Sequence, residues 1–213
     1  MITTEKQKML AGEPYRSRDG ELIAMYHRSR DLGRAFDGTP SWDLEKKRQL
    51  LDEWLGSIGD RTWVEAPFYC DYGENIHIGK DCFVNANCVL LDCNKITIGD
   101  NVLIGPAVQL YTATHPIAAS ERIVRDDPSL PQGSRYVTRA QPIAIEDDVW
   151  IGGGAIVMPG IRLALARRSA LVALSRGRSP PTHLPLATRV VSLEGSRSPR
   201  EHFGGTARCL FGA

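Results

Sequence analysis

Ile78-Gly79-Lys80-Asp81-Cys82-Phe83-Val84-Asn85-Ala86-Asn87-Cys88 and, further along, Ile98-Gly99-Asp100-Asn101-Val102-Leu103-Ile104-Gly105-Pro106-Ala107-Val108 follow one plan. An apolar residue opens a six-residue unit, and a second small or apolar residue follows four places later. The plan returns from Ile145-Glu146-Asp147-Asp148-Val149 through Ile151-Gly152-Gly153-Gly154-Ala155 to Val157 and Ile161. Seven pairs result: Ile78/Cys82, Val84/Cys88, Ile98/Val102, Ile104/Val108, Ile145/Val149, Ile151/Ala155 and Val157/Ile161. No ordinary helix or hairpin has this period. A short fixed repeat means coils stacked along an axis, each burying its apolar corners against its neighbours. The chain is therefore expected to be mainly β, a left-handed parallel β-helix of the hexapeptide type over residues 61–161.

Upstream, residues 1–60 lack the hexad and read as helical. Glu21 to His27 follow the Asp19-Gly20 turn with good helix formers. A second helix is expected after Thr39-Pro40, with Ser41 as N-cap, Leu44, Leu51, Trp54, Leu55 and Ile58 on one face, and Gly59 as its stop. Within the repeat, the register is lost after Leu110 and resumes at Ile143 or Ile145. A long irregular stretch inside a compact repeat is commonly functional. Residues 116–142 are accordingly expected to leave one coil as an extended loop, helped by Pro128 and Pro131.

Beyond Arg162 the hexads give way to a chain rich in Arg, Ser, Leu and Ala. Codons compatible with residues 162–192, read from the third base of each, can spell Ile-Gly-Ala-Arg-Ser-Ala-Val-Gly-Ala-Gly-Ser-Val-Val, which restores two hexads in phase with Val157. The expectation is a one-base frameshift near Arg162, with residues 162–213 a divergent, poorly ordered tail; the alternative is a genuine divergent end.

Composition narrows the function classes. The 213 residues suit one compact domain or a solenoid with a helical attachment. A net charge of +1 leaves no electrostatic footprint for nucleic acid or an acidic membrane. No apolar run reaches the roughly 20 residues of a membrane span, and the polar start is no signal peptide, so a cytoplasmic location is expected. Five cysteines, Cys70, Cys82, Cys88, Cys93 and Cys209, show no C-x-x-C spacing. Cys82 and Cys88 fall on inward corners, where a thiol serves as a small hydrophobe. No metal is expected.

Several segments together carry a resemblance. They are Thr4-Glu5-Lys6-Gln7-Lys8-Met9-Leu10-Ala11-Gly12-Glu13-Pro14-Tyr15, Cys70-Asp71-Tyr72-Gly73-Glu74-Asn75-Ile76, Tyr111-Thr112-Ala113-Thr114-His115-Pro116 and Asp148-Val149-Trp150-Ile151-Gly152-Gly153. With them the chain resembles the maltose and galactoside O-acetyltransferases of the hexapeptide-repeat family, the maltose type more closely. The resemblance implies a homotrimer, with acetyl-CoA and a sugar acceptor meeting in clefts between subunits.

The chemistry fits the residues. A sugar hydroxyl is almost fully protonated at neutral pH, so a base must take its proton as it attacks the thioester. Histidine suits this, with an ordinary pKa of about 6.5. His115, at the corner where the loop departs, resembles the family's catalytic histidine. His77 alternates outward, His27 lies in a helix, and His183 and His202 sit in the tail. Asn85 resembles the asparagine beside the thioester and serves donor or acceptor, while a nearby backbone N–H could face the oxyanion. Asp71, Cys93, Ser17 and Asp19 match acceptor-side positions. Asp71 stands where the galactoside enzymes carry a serine and could accept from sugar hydroxyls or be a surface charge; Cys93 stands where they carry an aspartate, and that departure argues against simple galactoside specificity. Gly153 resembles the residue whose backbone meets the pantetheine arm, and Trp150 could line the cleft or pack between subunits. Glu146 stands where hexads prefer glycine, so a distorted turn is expected there. Three readings stay open: a sugar O-acetyltransferase, an acetyltransferase for a non-sugar small acceptor, and an inactive trimeric scaffold. A zinc hydratase would need three convergent histidines, which the repeat lacks.

Overall fold

The computed structural model describes residues 4–124 and 136–164 together with the backbone of residues 171–172. Three helices come first: α1 (Glu5–Ala11), α2 (Gly20–Asp37) and α3 (Leu44–Trp54). A capping box starts α1, in which Thr4 Oγ1 accepts from the Gln7 N–H at 3.2 Å and Gln7 Oε1 accepts from the Thr4 N–H at 2.9 Å. Asp19 caps α2. The third helix is capped by Asp43, whose carboxylate accepts from the Lys46 N–H at 3.1 Å, and not by Ser41. Asp43 wins because it stands three residues before the N–H it satisfies. Leu44 is exposed, and the helix ends at Trp54 rather than Gly59.

The coils then form a parallel β-helix with three faces. Face one comprises β1 (Ser57–Ile58), β4 (Ile76–Ile78), β7 (Ile96–Ile98), β12 (Ile143–Ile145) and β15 (Arg162–Leu163). Face two comprises β2 (Trp63–Val64), β5 (Phe83–Val84), β8 (Leu103–Ile104), β13 (Trp150–Ile151) and β16 (Leu171–Val172). Face three comprises β3 (Phe68–Cys70), β6 (Cys88–Leu91), β9 (Gln109–Tyr111) and β14 (Ile156–Val157). Every neighbouring pair within these faces is parallel, for example Ile78 beside Ile98 beside Ile145. The paired apolar positions read from the hexads point inward and are buried, with Ile161 partly buried against them.

Ile58 opens the first coil instead of closing the third helix. It lies four residues after Trp54, so a helical stripe and a hexad start look alike at that point. Gly59, Gly79 and Gly99 are corner residues: a Cβ on Gly79 would lie within 2.6 Å of the Gly99 carbonyl group one coil above. Glu146 takes the next place in that column without the expected distortion. Gly99 N–H donates to Ile145 O at 2.8 Å, and the turn closes at Asp148 with φ 62°. Face one also continues past the last hexad, because Ile145 pairs with Leu163, which is buried. The backbone of Leu171–Val172 pairs likewise with β13. The remaining tail positions, including Cys209, His183 and His202, lie outside the described residues, as do Pro128 and Pro131.

The helical segment closes one end of this stack. Trp54 and Phe36 are fully buried against Phe68, and Trp54 Nε1 donates to Ser29 Oγ at 2.9 Å. The excursion from face three contains regular elements as well. Strand β10 (Ala113–Thr114) pairs antiparallel with β11 (Arg139–Ala140), and a short helix α4 (Ala119–Arg122) follows Ala118. No helix among the described residues is long and apolar enough to cross a membrane.

Candidate active site

Each coil has a corner where face three ends, and the expected base and two expected acceptor-side residues lie along it. Asp71 follows β3, Cys93 follows β6, and His115 follows β9 by way of β10. Stacking brings Asp71 and Cys93 together, with the thiol donating to Asp71 Oδ2 at 3.4 Å. Arg30 of α2 approaches Asp71 from the other side, 3.9 Å from Oδ1. Burial pushes the Asp71 carboxyl above its ordinary range, against the pull of the Cys93 thiol and the Arg30 charge. Burial, then the Asp71 charge, drives the Cys93 thiol well up, so it is a donor and no nucleophile. Tyr15, Tyr72 and Met9 bury Cys93 within a small second core.

His115 is exposed, after the coil that stacks on Cys93. Its Nδ1 lies 2.8 Å from the Val137 carbonyl oxygen, and its ring meets Tyr136 edge-on at 6.4 Å. A carbonyl can only accept, so this contact places the proton on Nδ1 and leaves the Nε2 lone pair as the basic site. Val137 is held in turn, since its N–H donates to Arg122 O at 2.9 Å and its neighbour Thr138 bridges to Tyr15.

The residues expected on the donor side lie at a different corner. Asn85 ends β5 where face two turns into face three, and its Oδ1 accepts from the Ala86 N–H at 2.8 Å. One coil separates it from Pro106, and Pro106 O accepts from the Gly154 N–H at 2.8 Å in the next. Gly153 and Gly154 are exposed there, Gly154 with φ 72° and open space where a Cβ would stand. Such a corner gives a ligand close access to backbone. Trp150 projects from face two, outside the corner, and is 51% exposed.

Ser17 is exposed two residues past Tyr15. Asp19 accepts from the Glu21 N–H at 3.0 Å as the cap of α2. His77 instead sits on the outside of face one, 3.1 Å from Ser57 Oγ, and His27 lies in α2. Within one chain, then, Asp71, Cys93 and His115 share a corner, while Asn85 and Gly153 occupy the one at the opposite end of the face-three strands. Sequence reasoning did not place Tyr15, Arg30 or the Val137 carbonyl beside these residues. Each acts through long-range or backbone contacts; only the buried apolar setting of Tyr15, directly after Pro14 in the capping segment, left a local signal.

Known proteins share this fold. Residues 8–59 match the family described as the maltose acetyltransferase hexapeptide capping motif. The chain is 43% identical to nodulation protein L of Rhizobium meliloti over 161 residues, which cover 76% of this chain and 82% of that protein. The crystal structure of a maltose O-acetyltransferase from Clostridium difficile is similar with a TM-score of 0.67 at 42% identity, covering 75% of this chain and 79% of the other. A hexapeptide-repeat acetyltransferase from Vibrio cholerae, complexed with acetyl-coenzyme A, matches with a TM-score of 0.63 at 36% identity, covering 75% and 80%. Repeat, helical cap and relatives agree, and the chain belongs to the hexapeptide-repeat acetyltransferases of the maltose O-acetyltransferase type.

Proposed function

We propose that this protein transfers the acetyl group of acetyl-CoA to a hydroxyl of a glucose- or maltose-like sugar, with His115 as general base. The observation that carries the proposal is the His115–Val137 contact, which leaves the Nε2 lone pair free on an exposed ring. In the reaction, the sugar hydroxyl attacks the thioester carbonyl while His115 Nε2 takes its proton. A C–O bond forms and the carbonyl becomes an oxyanion. The C–S bond then breaks, and the departing sulfur receives the proton from His115, giving the acetyl ester and CoA. Asn85 orients the acetyl group, and a backbone N–H of that corner faces the oxyanion. Asp71 accepts hydrogen bonds from sugar hydroxyls, with Cys93 and Arg30 holding its carboxylate; Ser17 and Asp19 border the same side.

The pantetheine arm would run along the Gly153-Gly154 corner, where the open space at Gly154 permits close approach. Because Asn85 and His115 lie at opposite ends of face three, one chain does not join them. A homotrimer would, pairing the His115 corner of one subunit with the Asn85 corner of the next. Face two supports such an assembly. Trp63, Phe83, Leu103 and Trp150 stand in register on its outside, and Trp63, Leu103 and Trp150 are 36%, 49% and 51% exposed.

The test is CoA release from acetyl-CoA with a panel of glucose, maltose, galactosides and non-sugar alcohols, with product mass determined. Maltose- or glucose-dependent release is expected, and His115→Ala should lower it by about 10²–10⁴-fold with an unchanged melting curve. Release only with non-sugar acceptors would remove the sugar assignment, and parent-level activity in His115→Ala would remove the base.

A further inference from the structure

Beneath the His115 excursion runs a buried polar network to which no role has been assigned so far. Asn94 is 3% exposed. Its Nδ2 lies 3.1 Å from Met9 O, 3.2 Å from Leu10 O and 3.2 Å from Ala140 O. The side-chain oxygen accepts from the Lys95 N–H at 2.7 Å. Its own N–H donates to Thr112 Oγ1 at 2.9 Å, and Thr112, fully buried, donates onward to Leu91 O at 2.6 Å. One amide thus ties together the end of α1, the coil corner and β11. Apolar side chains in these places would leave the Met9 and Ala140 carbonyls, in buried contacts, and the partly buried Leu10 carbonyl with fewer donors.

Strand β11 leads directly to the residue that orients the base. Ala140 and Arg139 pair with Ala113 and Thr114, Gln141 N–H donates to Thr112 O at 2.9 Å, and Tyr15 bridges Thr138. Val137 is the next residue, and its carbonyl holds His115 Nδ1. We propose that Asn94, with Thr112, is a positioning residue for His115: by fixing β11 and α1 on the coil it sets the Val137 carbonyl, and so the tautomer and direction of the imidazole. The inference rests on His115 being the base, and it makes the N-terminal cap part of the catalytic support rather than only an end cover. The nitrogen that a histidine uses is set by the hydrogen bond its other nitrogen makes, and misplacing a reacting group by about 1 Å can cost about 100-fold.

Histidine ¹⁵N NMR of the full chain tests this, with the His115 signal assigned by its loss in His115→Ala. The parent should show the Nδ1-protonated tautomer; an Nε2-protonated ring would overturn the proposal whether or not any variant folds. Asn94→Ala and the near-isosteric Thr112→Val should give mixed tautomers and a kcat lowered by about 10- to 100-fold with little change in acceptor KM. Thr112→Ser, which keeps the hydroxyl, should restore both. If a folded variant keeps the parent tautomer, or loses activity through KM alone, Asn94 is a packing residue. Should His115→Ala retain activity, the base assignment fails, while the tautomer measurement still decides whether Asn94 orients the ring.

Discussion

At the scale of single residues, the corner beneath the acceptor side concentrates buried polar groups, and Asp92 is the most constrained of them. It is fully buried, accepting from the Tyr72 N–H at 2.8 Å and the Asn75 N–H at 3.3 Å. Burial outweighs those donors and, with the nearby Asp71 charge, pushes its carboxyl up to about 7. Between about pH 4 and 7 the folded chain therefore holds a proton that the unfolded chain has released. Stability should fall as pH rises through that window. Thermal melts from pH 5 to pH 8 should show a declining midpoint for the parent, and Asp92→Asn, which cannot titrate, should flatten the decline. An Asp92→Asn profile that runs parallel to the parent's, or falls more steeply, would contradict the sign assigned to this carboxyl. None of this was legible beforehand, because Asp92 reads in sequence as one more polar corner residue. His115 was legible, since its place after Tyr111-Thr112-Ala113-Thr114 and before a broken repeat singles it out. What holds it, a backbone carbonyl 22 residues away, leaves no mark on side-chain identity.

Among the elements, the coils were the most readable part because a hexad specifies both the strand and its inward residue. Their corners carry the specification further. Left-handed backbone recurs at Arg61, Asp81, Asn101 and Asp148 on one edge, and at Asn87, Ala107 and Gly154 on another. Stacked turns with the same φ let each coil repeat the last. The price of that regularity is space: Gly79 sits where a Cβ would meet the Gly99 backbone at 2.6 Å. Gly79→Ala should destabilise the fold by about 1–3 kcal/mol, since backbone cannot swing aside as a side chain would. Denaturant unfolding would read this as a lower midpoint, and an unchanged midpoint would mean that the coils are looser than their stacking implies. The first coil and the last were harder to read. Ile58 was hidden behind a helical stripe, and Leu163 stands beyond the final hexad, in a stretch whose composition carries no repeat.

For the whole molecule, topology decides where chemistry can occur. A three-faced coil displays its corners around the axis, so residues at the same corner stack and residues at different corners diverge. Asp71, Cys93 and His115 belong to the first group; Asn85 and Gly153 belong elsewhere. That division follows from counting residues per coil, and it was partly visible in the sequence as two sets of turns. A site shared between subunits is already implied by the family resemblance; the ordered faces say which two corners it would join. The proposed site is thus composite, with the base and acceptor residues from one subunit and the asparagine and glycine corner from another. In a cyclic trimer each interface is heterologous, so two different inactivating lesions can complement. The direct test mixes His115→Ala with Asn85→Ala under conditions that exchange subunits, then measures acetyl-CoA-dependent CoA release. About a quarter of parent activity should return at equal proportions, because one interface in four pairs an intact His115 with an intact Asn85. No gain above the two separate variants, once exchange is demonstrated, would contradict the composite site.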